Sequence, residues 1–278
     1  MSDIHGGRPL LDQAMALALL SWRVHVFEPA RLLKRLGLYV VPTWGAALVP
    51  GVPGGGGRHL SERHLEPVLL PEEPTGYQEV REFDRLASLY EAVVRPFSEP
   101  IIDEVVELMR PLSPRARVLD PSVGPGGSAL RLARLLPEGE VVAADLSRGM
   151  VETAWRAARK AGIPNMAFFQ ADVAQPPEAF EGYFDAIVCC LSFHHYPDGP
   201  AAARAFRKVL APGGKAFVAD PGPKWFVELA RPLSVLADPG FVRHRTGEEF
   251  LRIFTEAGFS SVSWIEVLPG IGVTVASV

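Results

Sequence analysis

Cysteine is almost absent from this 278-residue chain, which contains only Cys189 and Cys190. Consecutive side chains on a strand point to opposite faces of a sheet, so a disulfide between these neighbours would be strained. Two thiols also provide no zinc-binding spacing. The sequence therefore predicts neither a disulfide framework nor a metal site, and two small buried thiols are typical of a reducing compartment.

The chain also lacks an excess of positive charge and an N-terminal targeting segment. It has 28 Lys and Arg against 32 Asp and Glu, which gives a formal net charge of −4. There is no basic patch interleaved with aromatic residues, so nucleic acid is not the predicted partner. Residues 1–10 have no basic segment followed by an apolar run and a cleavage site, and we therefore expect a cytoplasmic protein.

The first 78 residues differ in pattern from the rest. Residues 36–57 carry no charge, and their number alone is sufficient for a membrane span. Three prolines and a run of four glycines within this stretch oppose a continuous spanning helix. We predict a mainly helical N-terminal extension over residues 1–78, which serves as a lid, a dimerisation arm or a peripheral membrane contact through residues 36–57.

From residue 79 onward, strand and helix patterns alternate. Short apolar strands are predicted at residues 117–120, 141–144, 166–170, 184–190 and 214–219, and helices are predicted between most of them. Two final strands, 262–267 and 272–278, are close enough for a hairpin or a reversed edge strand. This alternation predicts an α/β fold over residues 79–278. We expect a Rossmann-like, doubly wound sheet of seven mostly parallel strands with a reversed last strand.

A glycine-rich turn after the first of these strands is the first chemical signal. It runs from Asp120 through Pro-Ser-Val-Gly-Pro-Gly-Gly into a helix. Glycines let the backbone approach a ligand, and the helix start offers free N–H groups. Gly124 and Gly126 also fit the dinucleotide pattern G-x-G-x-x-G/A. Asp145 ends the next strand, where a carboxylate accepts hydrogen bonds from the ribose hydroxyls of NAD or S-adenosylmethionine.

Two later segments help to distinguish S-adenosylmethionine from NAD and to suggest which residues accept a proton. Asp172 follows the third strand, where its carboxylate suits the adenine amino group and the N–H of Val173 suits a ring nitrogen. His194 and His195 follow the buried fourth strand, at the carboxyl edge where open α/β sheets bind ligands. Imidazole titrates near neutral pH, so both histidines are candidate general bases; the alternative is that they only shape the cofactor loop.

In this order the motifs resemble the class I S-adenosylmethionine-dependent methyltransferases, and they look most like the ubiquinone/menaquinone-type C-methyltransferases and their small-molecule relatives. The resemblance covers residues 79–278. It implies that the glycine turn holds the methionine part of S-adenosylmethionine, that Asp145 holds the ribose and that Asp172 faces adenine. The cofactor-binding residues expected on this basis are Tyr90, Asp120, Pro121, Ser122, Gly124, Gly126, Asp145, Leu146, Met150, Asp172, Val173, Leu191 and Phe193.

Ser122 departs from the family pattern, which usually has glycine at this position. A serine must keep a negative φ there or accept a left-handed penalty of roughly 1 kcal/mol. The departure therefore bears on the expected cofactor affinity more than on the identity of the cofactor.

The resemblance implies methyl transfer to a small, lipophilic acceptor such as a quinone precursor or a secondary metabolite. Apolar residues 36–53 and a loop expected over residues 221–239, with Trp225 and Phe226, would form pocket walls. One alternative is an NAD(P)-dependent oxidoreductase, which shares the glycine turn and Asp145. Another is a non-catalytic member that binds a partner. A homodimer is compatible with either reading.

Overall fold

The computed structural model describes residues 17–35, 43–44, 59–71, 95–172, 174–238 and 240–278. The expected site residues Tyr90 and Val173 lie outside the described residues, as does nearly all of the apolar stretch 36–57. Within the described ranges, every helix is too short or too polar to cross a bilayer.

An eight-stranded sheet forms the centre of the described structure. Its strands are β1 Thr43–Trp44, β2 Arg117–Asp120, β3 Glu140–Asp145, β4 Met166–Gln170, β5 Phe184–Cys190, β6 Leu210–Pro221, β7 Ser261–Leu268 and β8 Ile271–Ser277. They lie in the order β1-β7-β8-β6-β5-β2-β3-β4. Strands β2 to β6 pair in parallel, whereas β8 is antiparallel to both β6 and β7. The predicted seven strands with a reversed last strand are confirmed, and β1 adds a short antiparallel edge.

Helices cover both faces of the sheet. They include α1 Glu28–Arg35, α2 Gly127–Leu135, α3 Arg148–Lys160, α4 Gly199–Val209, α5 Lys224–Ala237 and α6 Gly247–Glu256, and residues 95–109 are also helical. Successive strand residues serve opposite faces, since Val141 packs in the cluster with α2 and α3, and Val142 packs in the cluster with α4 and α6. The strands are therefore buried on both sides, as their apolar sequences predict.

Side-chain caps fix where two of these helices begin. The hydroxyl of Ser147 accepts a hydrogen bond of 3.1 Å from the N–H of Met150 at the start of α3. Thr246 and Glu249 form the capping box of α6. Each cap fixes the start of a helix that begins near the sheet. The loop before each helix therefore has a defined position.

The expected loop over residues 221–239 is wrong, because residues 224–237 form helix α5. Phe226 of this helix is buried and packs on Trp22, with ring centroids 5.3 Å apart. Pro232 lies inside α5 and Pro223 precedes it, and these prolines made the segment look irregular in sequence. Packing of the buried face outweighs the low helix propensity of proline here.

The described parts of the N-terminal region pack against the rest of the chain. Arg31 of α1 forms an ion pair of 2.9 Å with Asp103 in the helix over residues 95–109. At one edge of the sheet, β1 pairs with β7. At the other edge, Val68 forms a parallel bridge with Phe169 of β4. These pairings protect part of each sheet edge. The boundary at residue 78 stays a prediction.

Candidate active site

A cavity of about 720 Å³ opens at the carboxyl ends of β2, β3 and β5. This volume falls within the range of about 300–1,000 Å³ that is usual for small-molecule sites. The expected site residues that line it are Pro121, Ser122, Gly124, Asp145, Leu146, Met150, Asp172, Leu191 and His195. The structure thus brings most of the described site residues to one cavity, although they come from four separate segments.

The glycine turn gives this cavity its floor. Gly124 has φ +51° and Gly126 has φ +99°, both in the left-handed region that favours glycine. A Cβ atom built at Gly124 would meet no other atom within 4 Å, so the backbone there faces open space. The N–H of Val123 donates to the carbonyl of Ala144 at 2.9 Å, which fixes the turn against β3. A ligand can therefore approach the main chain closely at Gly124.

Ser122 fits this turn without left-handed strain. Leu191, with φ +53°, is the one non-glycine residue in the described ranges that has a positive φ. The hydroxyl of Ser122 lies 2.5 Å from the hydroxyl of Tyr196, a residue of the loop after β5 that also lines the cavity. The serine thus keeps a negative φ and contributes a hydrogen bond that glycine would lack.

Asp120 lies beneath the turn and does not line the cavity. Its carboxylate accepts hydrogen bonds from the hydroxyl of Ser128 and from the N–H of Ser122. Burial raises the pKa of Asp120 to about 7, against the lowering effect of these two hydrogen bonds; the charge of Asp145 raises it further. In this structure Asp120, which was expected to bind cofactor, shapes the turn from below.

Two acidic side chains stand on one wall of the cavity. Asp145 accepts hydrogen bonds of 3.0 Å from the N–H groups of Gly124 and Ser147, one on each carboxylate oxygen. Asp172 accepts a hydrogen bond of 2.8 Å from the N–H of Ala174. Both carboxylates are partly exposed and line the cavity. They offer hydrogen-bond acceptors at two separate points along a bound ligand.

His194, one of the two candidate bases, is buried beside two carboxylates and does not line the cavity. Its Nδ1 lies 2.6 Å from Asp220 and its Nε2 lies 3.2 Å from Asp238. Burial lowers the pKa of His194, but the charges and hydrogen bonds of the two aspartates outweigh this and raise it to about 10. A histidine held in this way is a poor proton acceptor at neutral pH, so the expectation for His194 is corrected.

His195 does line the cavity. It lies in the 3-10 turn Phe193–His195, and its ring centroid is 4.1 Å from that of His194. Burial and the neighbouring charge of His194 lower the pKa of His195, while Asp238, whose Oδ1 is 3.8 Å from its Nδ1, raises it. The net lowering leaves His195 neutral near pH 7 and able to interact with a bound molecule.

Phe193 and Gly126 do not line the cavity. Phe193 is fully buried, and its ring centroid lies 5.3 Å from that of Phe250 and 5.7 Å from that of Phe254. Gly126 is the N-cap of α2, and a Cβ atom there would lie 3.1 Å from the side chain of Leu130. Both residues have a packing role in this structure, and their expected cofactor contacts stay predictions.

Sequence reasoning missed several residues that line the cavity. Six of them carry charge: Arg95, Glu99, Arg131, Arg134, Lys160 and Asp198. Arg95 and Glu99 come from the helix over residues 95–109, which has no recognisable motif. Asp198 caps α4, because its carboxylate accepts a hydrogen bond of 2.8 Å from the N–H of Ala201. That capping position was the one sequence signal available for any of the six.

Residues 118–214 match the family model described as a methyltransferase domain. The chain is 32% identical over 143 residues to nocamycin O-methyltransferase of Saccharothrix syringae, a match that covers 51% of this chain and 50% of that protein. It is 36% identical over 110 residues to demethylmenaquinone methyltransferase of Thermus thermophilus, covering 39% and 49%. Each match spans about half of the relative's length.

A solved structure agrees with these matches. The YcgJ protein from Bacillus subtilis aligns with a TM-score of 0.51 at 28% identity, covering 57% of this chain and 69% of that chain. Residues 118–214 of this chain therefore resemble the methyltransferase domain that these relatives contain. Its relatives include the ubiquinone/menaquinone-type C-methyltransferases and other methyltransferases of small molecules, as the motifs predicted.

Proposed function

We propose that this chain transfers a methyl group from S-adenosylmethionine to a small, lipophilic acceptor. One observation carries the proposal: the glycine turn, Asp145 and Asp172 meet at a single cavity at the carboxyl edge of the sheet. The matched methyltransferase domain spans all three features. The reported relatives are methyltransferases, so nothing favours the NAD(P)-dependent oxidoreductase.

The residues around the cavity fit S-adenosylmethionine. The open backbone at Gly124 suits the methionine part, the carboxylate of Asp145 suits the ribose hydroxyls, and the carboxylate of Asp172 suits the adenine amino group. When bound, the cofactor supplies a methyl group already activated by a positively charged sulfur. The protein then has to hold the acceptor in line with it and exclude water.

Apolar residues support a lipophilic acceptor. Ile102, Leu130, Pro197 and Val242, none of which is an expected cofactor contact, line the cavity. Pockets with mostly apolar walls and few polar groups are typical of sites for small organic molecules. The names of the relatives point the same way, since nocamycin and demethylmenaquinone are both small molecules.

An oxygen acceptor, or a carbon acceptor that must be activated, also has to lose a proton. His195 is the member of the histidine pair that reaches the cavity, so we place the reacting atom of the acceptor against His195. His194 lies behind it, with both ring nitrogens facing carboxylates. In this arrangement His194 positions the loop, and His195 contacts the acceptor.

Three wider proposals accompany this function. Cys189 and Cys190 are both unbridged, which supports a reducing compartment such as the cytoplasm. A peripheral membrane contact through residues 36–57 and a homodimer remain proposals. Liposome flotation and light scattering of the full chain, respectively, would test them.

Isothermal titration calorimetry with S-adenosylmethionine, and separately with NADH, tests the cofactor. We expect micromolar binding of S-adenosylmethionine that is lost in Asp145→Ala and Asp172→Ala but kept in Glu138→Ala, which removes an exposed carboxylate. Saturable NADH binding instead would revive the oxidoreductase. An acceptor panel of quinols, phenols and polar compounds follows. Cofactor binding with no turnover on any acceptor would favour the non-catalytic alternative.

A further inference from the structure

We propose that Asp238 is a positioning residue for methyl transfer, and that its carboxylate balances the positive charge that His195 acquires when it takes a proton from the acceptor. This role rests on the proposed function, in which His195 contacts the reacting atom. Asp238 directly follows α5, and its side chain is 23% exposed. It does not line the cavity, so any effect that it has on the acceptor passes through another residue.

His194, which lies between two carboxylates, carries a positive charge. Its Nδ1 lies 2.6 Å from Oδ1 of Asp220, and its Nε2 lies 3.2 Å from Oδ2 of Asp238. An ionised carboxylate only accepts hydrogen bonds, so each ring nitrogen carries a hydrogen, and a ring with two N–H groups is a cation. The raised pKa of His194, about 10, agrees with this geometry. His194 is therefore a fixed charge and not a proton acceptor.

The charges of this cluster do not balance while His195 is neutral. Burial raises the pKa of Asp238, but the hydrogen bond from His194 and the charges of the two histidines outweigh this and lower it, so Asp238 is ionised at neutral pH. The buried carboxylate of Asp220 brings a second negative charge. The cation of His194 thus faces two anions. A proton taken up by His195 makes the cluster neutral, so the resting arrangement favours that proton.

Asp238 is placed to contact both histidines at once. Its Oδ2 faces His194, whereas its Oδ1 lies 3.8 Å from Nδ1 of His195 and accepts a hydrogen bond of 3.2 Å from the N–H of Gly240. The separation of 3.8 Å is too long for a hydrogen bond. It is short enough for an ion pair once His195 is protonated, since an opposite charge within about 4–6 Å favours the charged form of a titratable group.

Other titratable groups also face His195. The charge of His194, whose ring centroid is 4.1 Å away, lowers the pKa of His195, and Asp220 behind it raises the pKa slightly. The ring centroid of His244 lies 5.2 Å from that of His194. Burial and the charge of His194 lower the pKa of His244 to about 4, so His244 is neutral near pH 7. Among the described groups, Asp238 contributes most to raising the pKa of His195.

The turn that carries both histidines is fixed, so these distances are defined. Arg245 donates hydrogen bonds of 3.0 Å to the carbonyls of Phe193 and Tyr196, on either side of the pair. The N–H of Val242 donates to the carbonyl of His194 at 3.1 Å. The positive charge of Arg245 is directed at these carbonyls. The segment after α5 and the turn after β5 are thus held together.

Asp238 acts at one step, in which the acceptor loses its proton. The hydroxyl oxygen of the acceptor forms a bond to the methyl carbon while the bond from that carbon to sulfur breaks, and the electron pair of that bond stays on sulfur. The proton of the hydroxyl passes to the neutral imidazole of His195, which becomes a cation. The carboxylate of Asp238 stabilises this cation. Acceptors that carry a phenolic or enolic hydroxyl therefore depend on Asp238.

Two measurements on Asp238→Asn test this role, and the first needs no turnover. Asparagine keeps an oxygen that can accept hydrogens from His194 and Gly240 but removes the charge. NMR titration of the histidine ring signals, with His195→Gln to assign them, should show a lower pKa for His195 than in the wild type. With a phenolic acceptor, kcat should fall roughly 10- to 100-fold while KM stays within about twofold. The acid limb of the pH profile should move to lower pH.

Two control variants distinguish lost charge from lost structure. Asp238→Glu keeps the charge and should retain more kcat than Asp238→Asn. Glu228→Gln is the matched control, because it removes an exposed carboxylate from α5, and it should match the wild type in both measurements. Circular dichroism shows whether each variant is folded.

An unchanged pKa of His195 together with an unchanged kcat in folded Asp238→Asn would overturn the role, as would a rise in KM alone. The failure of the proposed function looks different. If the pKa of His195 responds as expected but the wild type methylates no acceptor, the coupling between Asp238 and His195 stands and methyl transfer fails.

Discussion

Replacement of Ser122 by glycine is expected to destabilise this protein, although glycine is the residue that the family usually has there. A substitution toward the family consensus is commonly neutral or stabilising. Here the φ of Ser122 is already negative, so glycine relieves no strain. It removes instead the hydroxyl that lies 2.5 Å from the hydroxyl of Tyr196. The structure thus predicts that Ser122→Gly lowers the free energy of unfolding, whereas the family pattern predicts no change or an increase.

The magnitude follows from two contributions. A hydrogen bond within a protein contributes about 0.5–1.5 kcal/mol, and more is lost when the remaining partner is buried. Tyr196 is only 8% exposed, and among the described residues its hydroxyl has one other hydrogen-bond neighbour, the sulfur of Cys189 at 3.7 Å. Glycine also adds about 0.5–1 kcal/mol of unfolded-chain entropy. We expect Ser122→Gly to lower the free energy of unfolding by about 1–2.5 kcal/mol.

Urea unfolding of a double-mutant cycle separates these contributions. Ser122→Ala removes the hydroxyl without the extra backbone freedom, and Tyr196→Phe removes the other partner. The two should be coupled by about 0.5–1.5 kcal/mol, and Ser122→Gly should be less stable than Ser122→Ala. Equal or greater stability of Ser122→Gly relative to the wild type would refute the reasoning, and zero coupling would show that the contact contributes nothing.

Four further predictions concern the cavity and its support. Loss of the carboxylate in Asp145→Asn should weaken S-adenosylmethionine binding in calorimetry by at least about tenfold, since it contacts both the turn and the expected ribose. Phe193→Ala should cost about 3–5 kcal/mol in urea unfolding and leave the cofactor Kd of the folded protein within about twofold; a large change in Kd would return Phe193 to the cofactor site. Burial raises the pKa of Asp120 from 3.8 to about 7, so the folded state holds this proton more tightly. The free energy of unfolding should therefore fall as pH rises from about 4 to 7, by up to about 1.4 kcal/mol per pH unit, and urea unfolding of Asp120→Asn should show a flatter profile. His195→Gln should lower kcat on hydroxylated acceptors by about 10²–10⁴ in a turnover assay while the Kd for S-adenosylmethionine is unchanged; full activity would exclude a contact with the reacting atom.

The strands of the sheet could be predicted because they are strongly marked in the sequence. Strands β2, β4 and β5 have the bounds that their apolar runs indicate. The capping residues Ser147 and Thr246 also mark their helices correctly. Strand β1 could not be predicted, since two residues carry no periodic pattern and their pairing depends on β7, more than 200 residues away. Helix α5 was missed because local proline signals oppose it and only its packing explains it.

The site could be predicted where a backbone requirement or a sheet edge fixes the residue. Gly124 and Asp145 belong to this group, because the turn needs a positive φ and the strand end places the carboxylate. Residues on the helix over 95–109 were not predictable, since they reach the cavity through tertiary packing alone. The serine at position 122 looked unfavourable in sequence because its partner, Tyr196, becomes a neighbour only in the folded chain.

The 3-10 turn after β5 explains why neighbouring residues in one motif have different roles. A 3-10 helix has about three residues per turn, so consecutive side chains point roughly 120° apart. Phe193 therefore enters the core against Phe250, His194 turns toward Asp220, and His195 faces the cavity. The geometry of this one turn therefore gives three consecutive residues three different environments. Of the three residues of this turn, His195 is therefore the one that can contact a molecule bound in the cavity.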